Sequence, residues 1–298
     1  MYKEGEGSGA SNIAVVDEFL AHFNGDAQAA TTAVHRRVQE LNDKQAHIEV
    51  RGASSSTSVL GQAPVSTQTA PLRTDPPIIS VESIKKQYKL GKQTVQALND
   101  VTLRIYPSEF VAIIGPSGSG KSTLLQLIGC LDTPTEGIVT VNGKNTAKLG
   151  DAALSNLRRQ TIGFIFQSFY LQPFLRLADN IAVPAMFTSK KRQHIQEETT
   201  ALLEKVGLSD RARHFPKELS GGQIQRAAIA RALVNKPKII LADEPTGNLD
   251  TTNSEAIIDV FKTIRDTLGT TIVVVTHNAE VAAQADRIIR LTDGKVAE

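Results

Sequence analysis

From residue 78 to the C-terminus, short runs rich in Val, Ile and Phe alternate with longer stretches whose apolar residues recur at three- and four-residue steps. Runs of strand length fall at 78–84, 101–106, 110–114, 138–141, 162–166, 239–242 and 271–275. Strands separated by helices predict a parallel sheet, because a parallel pair needs a long crossover connection. Between residues 193 and 235 the pattern is mostly helical, with breaks at Pro216 and Gly221-Gly222, which predicts a helical insertion in an α/β core. Two final runs, 287–291 and 295–296, meet at Asp293-Gly294, a pair suited to the positive φ angles of a tight hairpin turn.

Upstream the pattern is different. Ile13, Val16, Leu20 and Phe23, and after Asn24-Gly25-Asp26 the residues Ala27, Ala30, Val34, Val38 and Leu41, predict a helical hairpin of about 35 residues within 1–51. So short a segment is below the ~40 residues that usually fold alone. Two readings stand: an element that docks on another protein or a second copy, or a tail with incidental helical periodicity. Residues 52–77 carry Ser, Thr, Pro, Gln or Gly at 17 of 26 positions and four of the 12 prolines, the composition of a flexible linker. A folded domain is therefore expected over 78–298.

Composition narrows the class. Hydrophobic residues at 41% and charged residues at 21% exclude a wholly disordered chain. A net charge of +2, from 33 basic against 31 acidic residues, lacks the dense basic footprint of a nucleic-acid binder, and Lys190-Lys191-Arg192 is too short a cluster to serve as one. No nucleic-acid partner is expected. Cys130 stands alone, which excludes an internal disulfide and fits a reducing compartment. No apolar run approaches the ~20 residues that cross a bilayer, and Asp17 and Glu18 interrupt the apolar run 13–20 where a signal peptide would need continuity. His22, His35, His47, His194 and His214 lack metal-ligand spacing and receive no site.

Three motifs carry chemistry. Gly115-Pro116-Ser117-Gly118-Ser119-Gly120-Lys121-Ser122-Thr123 follows an apolar strand and opens a helical pattern, the context that a phosphate-binding loop requires. Its glycines let successive N–H groups turn inward, and the helix start adds its positive dipole end. Lys121 is expected to reach the β- and γ-phosphates, Ser122 to offer its hydroxyl to Mg²⁺, and Thr123 to support phosphate oxygens. The strand 239–242 ends in Asp243-Glu244 at the sheet edge where α/β folds bind ligands. Asp243 is expected to hold Mg²⁺ through water, and Glu244 to orient and polarise the water that attacks the γ-phosphate. Leu219-Ser220-Gly221-Gly222-Gln223 opens an Arg-rich helical pattern and makes a second anion site of backbone N–H groups and the Ser220 hydroxyl. Two phosphate-binding helix starts with one base-binding region point to two chains sharing each nucleotide.

With these motifs in this order, residues 78–298 resemble the nucleotide-binding domain of ATP-binding cassette (ABC) proteins. The resemblance implies a P-loop NTPase core with an N-terminal antiparallel β subdomain and an inserted helical subdomain, ATP and Mg²⁺ as ligands, and ATPase activity. It further assigns Tyr88, 27 positions before Gly115, to stacking on adenine, and Gln167 in Phe164-Ile-Phe-Gln167 to Mg²⁺ or water. His277, after the strand ending at Val275, is assigned to the γ-phosphate, and Asp250 in Pro245-Thr-Gly-Asn-Leu-Asp250 to the dimer interface. Taken singly, Tyr88 also fits a sheet-edge cover, Gln167 a loop residue and His277 a core or cap residue. Cys130 is read as a buried face residue.

Within the family, Ile128-Gly-Cys-Leu-Asp132, Phe164-Ile-Phe-Gln167 and Ala242-Asp-Glu-Pro-Thr-Gly-Asn-Leu-Asp250 resemble the bacterial macrolide-export and lipoprotein-release group. That resemblance implies a homodimer at the cytoplasmic face of the membrane, driving an integral membrane permease subunit by mechanotransmission. The alternative is a regulatory ATPase of a cell-division-type complex without cargo. Residues 169–187, with Tyr170, Leu171, Pro173, Phe174 and Pro184, are expected to be a docking face for the membrane subunit, or in part an ordinary helical core. Two positions depart from the group's pattern: Ile224 replaces a Gln, and Ser108 a Gly, neither at a phosphate-facing position. The first 77 residues match nothing in the pattern.

Overall fold

The structure is a computed structural model, described here for residues 75–91, 93–247 and 251–297. The expected hairpin and all but the last three residues of the linker lie outside the described residues, as does Asp250. Asp75–Glu298 forms one compact unit.

The ten strands of the described residues lie in two sheets. β1 (Ile79–Leu90), β2 (Gln93–Ile105), β4 (Glu136–Val141) and β5 (Lys144–Asn145) form an antiparallel sheet in the order β2-β1-β4-β5. β3 (Phe110–Ile114), β6 (Ile162–Ile165), β7 (Ile239–Asp243), β8 (Thr271–Val275), β9 (Arg287–Thr292) and β10 (Lys295–Ala297) form the second, in the order β10-β9-β3-β8-β7-β6. All its pairs are parallel except the terminal β9–β10 hairpin. There Asp293 and Gly294 take the expected positive φ angles, 47° and 74°.

The helices of the described residues are α1 (Lys121–Ile128), α2 (Asp151–Thr161), α3 (Leu177–Met186), α4 (Arg192–Lys205), α5 (Gly221–Leu233), α6 (Thr251–Leu268) and α7 (Ala279–Ala283). β3, β7 and β8 read as continuous apolar runs because both faces are covered. Val111, Ile113, Leu241, Val273 and Val275 face a core shared with α1 and the antiparallel sheet. Their neighbours Phe110, Ile240, Ala242, Ile272 and Val274 face the opposite core, with Ile257, Ile258, Phe261 and Ile264 of α6 and Ile229 of α5. Helices α3 to α5, inserted between β6 and β7, build a third cluster around Leu177, Ile181, Leu203, Ala227 and Ala230. α5 therefore buries Ile229 against the sheet and Ala227 and Ala230 against the inserted bundle, which ties the two together.

The first two strands run well past the apolar stretches that announce them. Register shifts between Val81 and Ile84, Ile84 and Lys86, and Lys86 and Gln87 break the alternation, so the polar outer half of this long hairpin lacks a period-two signal. The two-residue β5 is equally silent.

Candidate functional site

Strand order assembles the site. Along the second sheet the neighbours run β3, β8, β7, β6, and in one row Ile113 pairs with Val275 and Val275 with Asp243. The segments leaving the C-terminal ends of these four strands carry, in turn, the loop 115–123, His277, Asp243-Glu244 and Gln167. Residues more than 150 positions apart thus share one edge, the position where open α/β sheets bind ligands.

The loop is shaped by its glycines. Gly118 and Gly120 have φ of 78° and 99°. A Cβ on Gly120 would stand 2.5 Å from the Ala97 carbonyl oxygen and 2.7 Å from Leu98 Cδ2, and one on Gly115 would stand 2.0 Å from the Leu291 carbonyl oxygen. Only glycine fits either position. Pro116, Ser117 and Gly118 are exposed, whereas Ser119 is 2% exposed and its hydroxyl has no partner among the described residues. Lys121 Nζ folds back over the loop and donates to the carbonyls of Gly115 and Pro116, at 2.9 Å each. Thr123 is half-buried in the first turn of α1.

Ser122 faces Asp243, which brings the loop to the end of β7. Withdrawal from water pushes the Asp243 carboxyl up to about 6; the Ser122 hydroxyl and Lys121 act against that shift, and the neighbouring Glu244 charge adds to it. Glu244 has a φ of 44°, an uncommon conformation for a non-glycine residue, held by its N–H to the Val275 carbonyl at 2.9 Å. Its carboxylate is 14% exposed, takes His277 Nδ1 at 2.9 Å and also accepts the His277 backbone N–H at 3.4 Å. The His277 ring is 72% exposed, so its other nitrogen is open to a ligand. A Cβ on Gly247 would lie 3.6 Å from Gln167 Nε2, which places the Gln167 amide beside the turn that follows Glu244.

The remaining sequence-selected residues stand apart from this edge. Tyr88 lies on β1, opposite Val95 of β2, and its hydroxyl donates to Asp132 at 3.0 Å. Ser220 caps α5: its hydroxyl accepts the Gln223 N–H at 3.4 Å, and the Gln223 side chain accepts the Ser220 N–H at 2.9 Å. Gly221 is exposed and Gly222 buried within that first turn.

The loop suits a polyphosphate on its own geometry, since it has an orphaned buried hydroxyl, a curled glycine backbone and a lysine parked on carbonyls that an anion can replace. Among the described residues no group of three or more His, Cys, Asp or Glu side chains is placed to hold a metal. Mg²⁺ shared with phosphate oxygens needs only one or two protein oxygens, such as those of Ser122 and Asp243. Sequence reading missed Arg231, whose guanidinium donates to the Phe169 and Tyr170 carbonyls at 2.6 and 2.5 Å just beyond Gln167. It also missed the partners of Tyr88. Nothing local marks either contact, because the partners lie 62 and 44 residues apart.

Fold and site together define a P-loop nucleotide-binding α/β domain. The sequence pattern of the ABC transporter family matches residues 98–247. An uncharacterised ABC transporter ATP-binding protein of Bacillus subtilis (strain 168), YknY, is 48% identical over 74% of this chain and 95% of its own length. The macrolide export ATP-binding/permease protein MacB of Rhodopirellula baltica is 46% identical over 74% of this chain but only 33% of itself. A dimeric ATP-binding cassette solved in a post-hydrolysis state with ADP and Pi superposes with a TM-score of 0.69 at 44% identity, covering 74% of this chain and 97% of that one. The chain belongs to the ABC transporter family: it is an ATP-binding subunit and an ATPase.

Proposed function

We propose that two copies of the chain close around two Mg-ATP, hydrolyse them, and drive an integral membrane permease subunit from its cytoplasmic face, in the manner of the efflux and mechanotransmission group. The observation that carries this reading is the pairing of Glu244 with His277 beside Asp243 and Ser122, at the mouth of a glycine-shaped loop. The solved relative is a dimer, and YknY, matched over 95% of its length, bears the name of an ATP-binding protein alone. Among the described residues no helix is long and apolar enough to cross a membrane.

In this reading the amides of residues 115–123, the Ser119 hydroxyl and Lys121 hold the phosphates, and Tyr88 stacks on the base. Ser122, Asp243 and Gln167 would hold Mg²⁺, which supplies neutralisation of charge on the phosphate oxygens. Glu244 aligns water and accepts its proton, and His277 fixes the Glu244 carboxylate while presenting its second nitrogen toward the γ-phosphate. Ser220, Gly221, Gly222 and Gln223 of the second copy close over the same phosphate, with Asp250 at the interface. Around 169–187, Leu177, Ile181 and Ala185 belong to the buried core, while Phe174 is 54% exposed and is the centre of the docking face for the membrane subunit.

Glu244→Gln keeps the shape of the side chain and removes its basicity. ATP binding is expected to persist while steady-state phosphate release falls about 10²- to 10⁴-fold, and light scattering should show an ATP-dependent dimer. Turnover near the wild-type rate would overturn the assignment.

A further inference from the structure

The far half of the β1–β2 hairpin holds a polar cluster with its own logic. Lys86 Nζ donates to Asp132 Oδ1 at 2.7 Å and to the Thr133 carbonyl at 2.8 Å. The same ammonium lies over the Tyr88 ring, 4.9 Å from its centroid. The Tyr88 hydroxyl donates to the other Asp132 oxygen at 3.0 Å. The Lys86 and Asp132 side chains are only 11% and 18% exposed, so this ion pair sits largely out of water, where losing one partner strands the other.

Asp132 follows α1, the helix whose first turn belongs to the phosphate loop and whose eight residues span about 12 Å. The neighbouring strand is fixed to the same loop: Ala97 and Leu98 of β2 pack on Gly120, Lys86 pairs with Leu98, and Tyr88 pairs with Val95. One short helix therefore anchors the phosphate loop at its start and the Tyr88 ring just past its end.

We propose that Asp132 and Lys86 are positioning residues for nucleotide base recognition. Asp132 holds the ring by its hydroxyl, Lys86 covers one face through a cation–π contact, and the adenine stacks on the other face. This rests on the reading of Tyr88 as the base-stacking residue. A ring fixed at both its hydroxyl and one face has little torsional freedom left to lose when the base arrives. The effect is confined to the base half of the ligand.

The test compares the full chain with its Tyr88→Phe, Asp132→Asn and Tyr88→Ala variants by calorimetric titration with Mg-ATP and with magnesium tripolyphosphate, which has no base. Tyr88→Ala is expected to weaken ATP about tenfold or more. Tyr88→Phe and Asp132→Asn should each weaken ATP about three- to tenfold, and the double variant Tyr88→Phe/Asp132→Asn no more than the worse single one. Tripolyphosphate affinity should stay as in the wild type throughout. Should Asp132→Asn fail to fold, Tyr88→Phe, which removes one oxygen, carries the test. Weakening by Tyr88→Ala with wild-type ATP binding in Tyr88→Phe overturns the positioning role and leaves base stacking intact. Wild-type ATP binding in Tyr88→Ala overturns base stacking itself, and equal losses for ATP and tripolyphosphate show a brace of the fold without a part in base recognition.

Discussion

Cys130 closes α1 with 3% of its surface exposed and a φ of 57°, and burial pushes its thiol up to about 11 from an ordinary 9.0. Arg158, whose guanidinium donates to the Cys130 carbonyl at 2.7 Å, opposes that shift only in part. Between pH 9 and 11 the unfolded thiol has ionised while the native one keeps its proton. The native state then binds more protons, and stability falls as pH rises through this window, by at most about 1.4 kcal/mol per pH unit. Urea midpoints at pH 8, 9.5 and 10.5, compared between the wild type and Cys130→Ala, should show a steeper decline in the wild type. Iodoacetamide at pH 8 should leave the native thiol unmodified and alkylate it on unfolding; rapid labelling of the native chain would refute this account of its burial. The burial of Cys130 was legible from its apolar setting, whereas the positive φ and the Arg158 contact were not, since each depends on how the chain leaves α1.

α5 carries a different local device at each of its ends. Its start is a capping box that sequence spacing reveals, since Ser220 and Gln223 lie three positions apart. Its other end carries the part-buried Arg231, whose guanidinium binds the carbonyls of Phe169 and Tyr170 and whose pKa burial depresses to about 10. Those two residues have φ of 59° and 46°, so the turn after Gln167 is strained and depends on this clamp. Arg231→Met keeps apolar bulk but leaves two carbonyls without their donor. A loss of about 2–3 kcal/mol in denaturant unfolding is expected, together with reduced ATPase activity through Gln167. Unchanged stability would show that water replaces the guanidinium at no cost.

At the scale of the whole molecule, Ser220 caps the helix α5 of the inserted bundle while the phosphate loop leaves the C-terminal end of β3, and in the proposed shared site Ser220 is supplied by a second copy. Ser220→Arg and Lys121→Ala chains should each be inactive alone, and mixing them should restore part of the ATPase activity, because the mixed dimer holds one site with wild-type Lys121 facing wild-type Ser220. No recovery on mixing, with dimers shown to form, would place both functions in one chain. A second expectation concerns the boundary. Asp75–Glu298 is a compact unit whose first strand begins at Ile79, and a tether of the composition of residues 52–77 transmits little constraint. A chain of residues 75–298 should therefore match the full chain in ATP turnover and melting temperature; a large fall in either would assign the first 74 residues a part in the cassette.

The sequence by itself determined the strands that are buried on both faces, the glycine-bearing loop, the helix starts and the terminal hairpin. Each of these is written in contiguous residues: an apolar run, a required positive φ, a cap and its partner three positions on. The order of the strands was decided only by tertiary structure, because placing β8 between β3 and β7 is a matter of packing rather than local preference. That order brings His277 to Glu244 and Ser122 to Asp243. The outer hairpin belongs to the same side of the line: its bulges erase the alternation that would have announced it, and the Lys86–Asp132–Tyr88 cluster exists only because β1 lies beside the segment that follows α1. A side chain's partner across 44 residues is fixed by the closing of two sheets over one helix, which no local pattern of residues encodes.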